Sequence, residues 1–149
     1  MSVITTDILL EGYRRKQVFE WMSEPANHAR WLAGAFASVT PQGDRAWDVM
    51  VAAKPVARPM GYHFDSADAS HRGRRILCHT SGKRTKGKLN YSLRTPRGTN
   101  HTLVTLHADY DPGRLVGRLL DSSGLREALE SHYVRLLETL GQEIARDLG

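Results

Sequence analysis

Between Phe36 and Tyr110 six short segments follow one another, separated by clusters of turn-forming residues. This run constrains the fold more than any other feature of the chain. Phe36–Thr40, Ala46–Ala53, Pro59–Ser66, Arg72–Thr80, Thr85–Thr95 and Asn100–Tyr110 read as strands, several with apolar residues at every second position. Trp47, Val49 and Val51 share one face of their strand. So do Leu89, Tyr91 and Leu93, and so do Val104, Leu106, Ala108 and Tyr110. Pro41-Gln42-Gly43-Asp44, Asp65-Ser66-Ala67-Asp68, Ser81-Gly82-Lys83 and Thr95-Pro96-Arg97-Gly98 read as turns. A parallel crossover needs about a dozen residues or more, so connections this short imply antiparallel hairpins.

Helical spacing appears on both sides of this run. Ser2–Leu10, rich in Val, Ile and Thr, reads as a seventh strand. Tyr13–Met22 then places Val18, Phe19 and Met22 on one helical stripe. Pro25 suits the first turn of a second short helix, because its missing N–H is not needed there. That helix is expected to run to Trp31-Leu32 and to stop at Gly34. After Asp111-Pro112-Gly113, Leu115, Val116, Leu119 and Leu120 read as a short helix, interrupted by Ser122-Ser123-Gly124. Leu125, Leu129, Tyr133, Leu136, Leu137, Leu140 and Ile144 then mark a long amphipathic helix. No repeat or linker divides residues 1–149, which read as a single domain. A run of antiparallel strands closed by one long helix predicts a curved sheet with that helix against one face.

The stretch Gln17-Val18-Phe19-Glu20-Trp21-Met22-Ser23-Glu24-Pro25-Ala26-Asn27-His28-Ala29-Arg30-Trp31 resembles the opening helices of the SRPBCC superfamily. That group includes START-like lipid-transfer domains, polyketide cyclase/dehydrase-like proteins and the birch-pollen-allergen fold. Its members often carry a Val-Phe pair, then Ser-Asp-Pro, then a Trp. Here Glu24 stands in the Asp place. The strand Thr102–Tyr110 and the long last helix are similar to the end of the same pattern. The resemblance implies an α+β helix-grip fold: a seven-stranded antiparallel sheet wrapped around a long C-terminal helix, with two short helices after the first strand. It also implies a hydrophobic cavity between sheet and helix.

Composition narrows the function classes. The longest strictly apolar run, Val49 to Ala53, is far shorter than the roughly 18 residues of a transmembrane helix. The first residues lack a basic and then apolar signal pattern, so no secretory signal is expected. A single cysteine, Cys78, excludes an internal disulfide and a Cys-based zinc site. A cytoplasmic location fits these features. The net charge is +5, unevenly distributed. Between Lys54 and Arg97 stand eleven Lys or Arg against two acids, Asp65 and Asp68. A basic surface of this kind attracts anions. It favours a ligand with an acidic end. A nucleic-acid or protein-interaction role is the rival reading, and no specific nucleic acid is expected.

Candidate ligand-binding residues are the large inward ones: Trp31, Phe36, Trp47, Tyr62, Phe64, Tyr91, Tyr110, Leu129 and Tyr133. Aromatic walls with a few hydroxyls hold and orient an apolar ligand, although large rings are also ordinary core material. The seven histidines show no HExxH or HxH pairing. His101 and His107 lie about 20 Å apart along one strand, too far to share a metal. No metal or cofactor is expected. An enzyme would need an acid or base in the cavity. Alternation turns His79, Asp48, Asp109 and Arg94 away from it, which leaves Tyr62, Tyr91 and Tyr110. A phenol with a pKa near 10 is a poor base. Cys78 shares a face with Ile76 and reads as a buried thiol. The basic stretch Gly82–Lys88 lacks the spacing of a phosphate loop and reads as a hairpin. The sequence thus points to a monomer or dimer that holds a small hydrophobic molecule (lipid, polyketide or isoprenoid-like). A polyketide cyclase/dehydrase acting in the same cavity is the alternative.

Overall fold

The structure is a computed structural model that describes residues 2–53, 57–70, 74–112 and 124–149. The short helix expected at Leu115–Leu120 and the start of the strand expected from Arg72 lie outside the described residues. The chain begins with β1 (Ser2–Leu10), α1 (Arg15–Met22) and α2 (Pro25–Ala35). Next come β2 (Val39–Pro41), β3 (Ala46–Val51), β4 (Arg58–Asp68), β5 (Arg74–Ser81), β6 (Gly87–Arg94) and β7 (Thr102–Tyr110). A 24-residue helix, α3 (Leu125–Leu148), follows. No helix among the described residues is long and apolar enough to cross a membrane.

All seven strands form one antiparallel sheet, in the order β1-β7-β6-β5-β4-β3-β2. The helix-grip architecture expected from the sequence is therefore the one observed. Strand alternation sends Trp47, Val49, Met60, Tyr62, Phe64, Ile76, Cys78, Leu89, Tyr91, Val104 and Leu106 into the core. The apolar stripe of α3 meets them: Leu125, Leu129, Tyr133, Leu136, Leu137, Leu140 and Ile144 are all buried.

Several expected boundaries differ: the strand expected at Phe36–Thr40 is Val39–Pro41, with Phe36 capping α2 instead, and two further differences have a clear physical cause. Asp65-Ser66-Ala67-Asp68 is not a turn, because β4 runs through it to Asp68. The register shifts between Phe64 and Ser66, so Asp65 is the extra residue of a β-bulge. The bulge lets a polar, turn-like stretch stay in the sheet. Gly34 does not end α2, which continues to Ala35. A Cβ at Gly34 would overlap the Thr139 side chain. The glycine is there for close approach of α2 to α3. Polar contacts hold the far end of the same pairing. Arg30 bridges Glu143 and Asp147, each at 2.6 Å, and the Trp21 Nε1–H donates to Asp147 at 2.7 Å. Arg30 in turn holds the Asp147 carboxyl down at about 2.

Candidate functional site

The helical stripe of α2 contains one polar member. His28, Trp31, Leu32 and Ala35 recur at i, i+3, i+4 and i+7, and all four are buried. His28 is fully buried. Its Nε2 lies 2.8 Å from the Met22 carbonyl oxygen and its Nδ1 lies 2.9 Å from the Tyr62 hydroxyl. The carbonyl can only accept, so Nε2 carries the proton and Nδ1 accepts from Tyr62. The Tyr62 oxygen in turn lies 3.0 Å from the Tyr91 hydroxyl. The Trp31 Nε1–H donates to Tyr91 at 3.2 Å. Indole N–H can only donate. Both ends of the chain are thus fixed, and every bond runs one way, from Trp31 through Tyr91 and Tyr62 to His28 and Met22. The Cys78 thiol, 3.4 Å from the Tyr62 oxygen, joins it as a second donor.

Rings wall this chain. His28 lies between Trp31, at 4.1 Å, and Phe64, stacked at 4.2 Å. Trp47 lies parallel to it at 6.0 Å, and Trp31 meets Tyr91 edge-on at 5.9 Å. Burial sets the protonation states, because removing water disfavours charge. It pushes His28 down to about 3, against the opposing pull of the Met22 carbonyl. It pushes the Cys78 thiol up to about 12 and raises both phenols, Tyr62 and Tyr91. The cluster is neutral at physiological pH.

Of the nine residues expected to line a cavity, Trp31, Trp47, Tyr62 and Phe64 pack against His28, and Tyr91 joins them through Trp31 and Tyr62. The other four are buried elsewhere in the same layer. Tyr133 on α3 directs its hydroxyl at the Met60 sulfur, 3.8 Å away, a weak acceptor. Burial raises that phenol as well. Leu129 lies one helical turn before it. Phe36 stacks on His132 at 4.5 Å. The His132 Nδ1–H donates to the Ala35 carbonyl and its Nε2 accepts from the Ala52 N–H, which ties α3 to α2 and to the end of β3. Tyr110 accepts a hydrogen bond from Arg126.

His79, Asp48 and Arg94 are exposed on the opposite face, and Asp109 is half-buried there. Alternation places them there, as expected. Cys78 is buried, also as expected. The sequence reading missed His28 and His132. The signal for His28 was its place on an apolar helical stripe. A second missed pair is His63 and His79, cross-strand neighbours stacked at 4.3 Å on the outer face. Among the described residues no group of three or more His, Cys, Asp or Glu is arranged to hold a metal.

No family model matches the sequence, and no curated protein matches it. Solved structures do match the fold. The protein TTHA0849 from Thermus thermophilus superposes with a TM-score of 0.64 at 14% identity, over 99% of this chain and 100% of that one. Norcoclaurine synthase of Thalictrum flavum, in complex with dopamine and hydroxybenzaldehyde, superposes with a TM-score of 0.64 at 16% identity, over 97% and 87%. Ara h 8.0201 superposes with a TM-score of 0.53 at 8% identity, over 97% and 99%. The chain shares the helix-grip fold of these structures. The resemblance read in its opening helices is thereby supported at the level of the fold.

Proposed function

We propose that the protein binds a small hydrophobic molecule (a lipid, polyketide or isoprenoid-like compound) between the inner face of the sheet and α3. Trp31, Trp47, Tyr62, Phe64, Tyr91, Leu129 and Tyr133 would form the wall, with Phe36 and Tyr110 toward its margins. One observation carries this reading: the one-way hydrogen-bond chain through His28 is buried among rings, where hydrocarbon alone would pack more cheaply. Such a chain fixes the orientation of the phenols, and fixed polar groups in an apolar wall are what orient a ligand. The Tyr133 hydroxyl, which among the described residues donates only to a thioether, is the donor best able to take a ligand oxygen. Ligand burial would supply about 25 cal/mol per Å² before the costs of association. That a norcoclaurine synthase structure of this fold holds two small aromatic molecules is consistent with the reading.

The His28–Tyr62 bond favours a second reading, a cyclase- or dehydrase-type enzyme in the same space. There Tyr62 would present a proton whose position a neutral imidazole controls.

Native mass spectrometry beside a denatured sample tests the first reading. A co-purifying mass of a few hundred daltons, lost on denaturation, is the expected result. Trp47→Ala should then weaken uptake of an apolar fluorescent probe while the folded fraction persists. Unfolding with unchanged probe affinity in the folded fraction would assign Trp47 to the core and reject its place in the wall.

A further inference from the structure

The two edges of the sheet are built differently. β2 closes one edge with three residues, the last of them Pro41. A strand that short, ending in proline, offers little to pair with. β1 closes the other edge with nine residues, and no Pro, Gly, Lys or Arg stands among them. Among the described residues β1 pairs with β7 alone. The Arg126 guanidinium donates to the Val3 carbonyl at 3.3 Å, so this carbonyl points away from β7. Alternation along an antiparallel strand then turns the N–H and C=O of Val3, Thr5, Asp7 and Leu9 toward the open edge. A carbonyl oxygen has two lone pairs, so Val3 can accept again beside Arg126.

The same four residues are exposed on the outer face of the sheet. Val3 and Leu9 are the two most exposed large apolar residues among those described, at 47% and 43%. The order of residue types is symmetric about Thr6. Val3-Ile4 on one side answers Ile8-Leu9 on the other, with Thr5-Thr6-Asp7 between them. Such a strand is complementary to a second copy of itself run antiparallel. A two-fold axis at Thr6 sets Val3 opposite Leu9, Ile4 opposite Ile8 and Thr5 opposite Asp7 of the other copy. Val3 with Leu9 and Thr5 with Asp7 are then hydrogen-bonded pairs, because all four turn their backbone groups to the edge. The apolar pairs meet on the outer face. Each Asp7 carboxylate faces a threonine hydroxyl, and that hydroxyl lies 3.5 Å from Nδ1 of His107. Other registers are worse. An axis at Thr5 sets Val3 opposite Asp7, and an axis at Asp7 sets two carboxylates opposite each other.

We propose that β1 is the interface of a two-fold homodimer, in which the sheets of two copies join edge to edge about Thr6. The occupant of this edge is a second copy of the chain, because the strand that fits it in backbone, side chains and charge is β1 itself. The interface does not depend on what the aromatic cluster binds.

The test is sedimentation velocity of the full chain over a wide range of concentration, with amide hydrogen exchange on the same samples. A reversible change from monomer to dimer mass is expected. The Val3, Thr5, Asp7 and Leu9 amides should gain protection as the dimer fills. Thr5→Pro removes an N–H that the β1–β7 ladder does not use, and Leu9→Lys puts a charge into the outer apolar pair. Each should weaken the dimer about tenfold or more. Met50→Lys, at an exposed apolar residue of β3, should leave it unchanged. Circular dichroism checks that each variant is folded, and Leu9→Lys carries the test alone if Thr5→Pro is not. A monomer at every concentration, a dimer that the folded β1 variants leave intact, a dimer without protection of these amides, or an equal loss in Met50→Lys would overturn the proposal.

Discussion

Tyr62 and His28 stand 34 residues apart in sequence, and the Tyr62 hydroxyl donates to Nδ1 of His28 across 2.9 Å inside the core. This bond joins α2 to the middle of the sheet. Its direction follows from the Met22 carbonyl on the far side of the imidazole. Tyr62→Phe removes the donor to His28 and the acceptor for Tyr91 together. Each orphaned buried group costs about 1–3 kcal/mol, so the variant should lose about 2–3 kcal/mol or more in urea unfolding. Tyr133→Phe is the control. Among the described residues its hydroxyl reaches only a thioether, and the loss should stay below about 1 kcal/mol. Equal losses in the two variants would refute the ordering of the chain.

The same imidazole makes stability depend on pH. Burial holds His28 at about 3 in the folded state, against an ordinary value near 6.5. Above pH 6.5 both states leave it neutral. As pH falls from there, the unfolded chain takes up a proton that the folded protein refuses, so stability is lost between about 6.5 and 3. Between pH 7 and pH 5 the loss from His28 alone is about 2 kcal/mol. His63 and His132 are also lowered by burial and act in the same direction. The lowered carboxyls Asp68 and Asp147 act only below about 3.8. A folded His28→Gln variant, which can still donate to Met22 and accept from Tyr62, should lose most of the His28 share. An unchanged slope in urea titrations at the two pH values would place that proton uptake elsewhere.

Cys78 makes a third expectation. Its thiol is buried and raised to about 12 by that burial. The thiolate is the reactive form, so iodoacetamide at pH 8 should leave the native protein unmodified and label it only as denaturant unfolds it. Rapid labelling of the native state would mean that the Tyr62–Cys78 region opens to solvent.

What could be read from the residues divides along physical lines. β1 was legible to both ends, because Ser2–Leu10 combines β-branched composition with a clear break at Glu11-Gly12. The inner faces of β3, β6 and β7 were legible because a half-buried strand needs alternation and nothing else. Asp65–Asp68 misled because its composition is that of a turn while its backbone is carried by a bulge. No local pattern marks a bulge. The aromatic members of the cluster were legible one by one as large inward residues. Their hydrogen-bond chain was not, because Trp31, Tyr62 and Tyr91 meet only through the pairing of β4, β5 and β6 and the docking of α2. The nine-residue wall remains a proposal, while the contact of four of its members with His28, and of Tyr91 with two of those four, is a fact of the packing.

Gly34 gives the sharpest test of how α2 meets α3. In an exposed helix interior, glycine to alanine gains roughly 0.5–1 kcal/mol, because alanine loses less backbone freedom on folding. Here the added Cβ would overlap Cγ2 and Oγ1 of Thr139 and lie 3.0 Å from its Cβ. Rotating Thr139 relieves the first two contacts but not the third, so the helices must also separate slightly. Overpacking of this kind costs about 1–3 kcal/mol, which outweighs the helical gain. Gly34→Ala should therefore lower the unfolding free energy. Thr139→Ala removes the two outer atoms, so the double variant should recover most of that loss, with a coupling energy of about 1 kcal/mol or more. A Gly34→Ala protein more stable than the parent would mean that α2 and α3 stand further apart than this contact requires. The clamp of Arg30 on Glu143 and Asp147 would then carry the pairing instead.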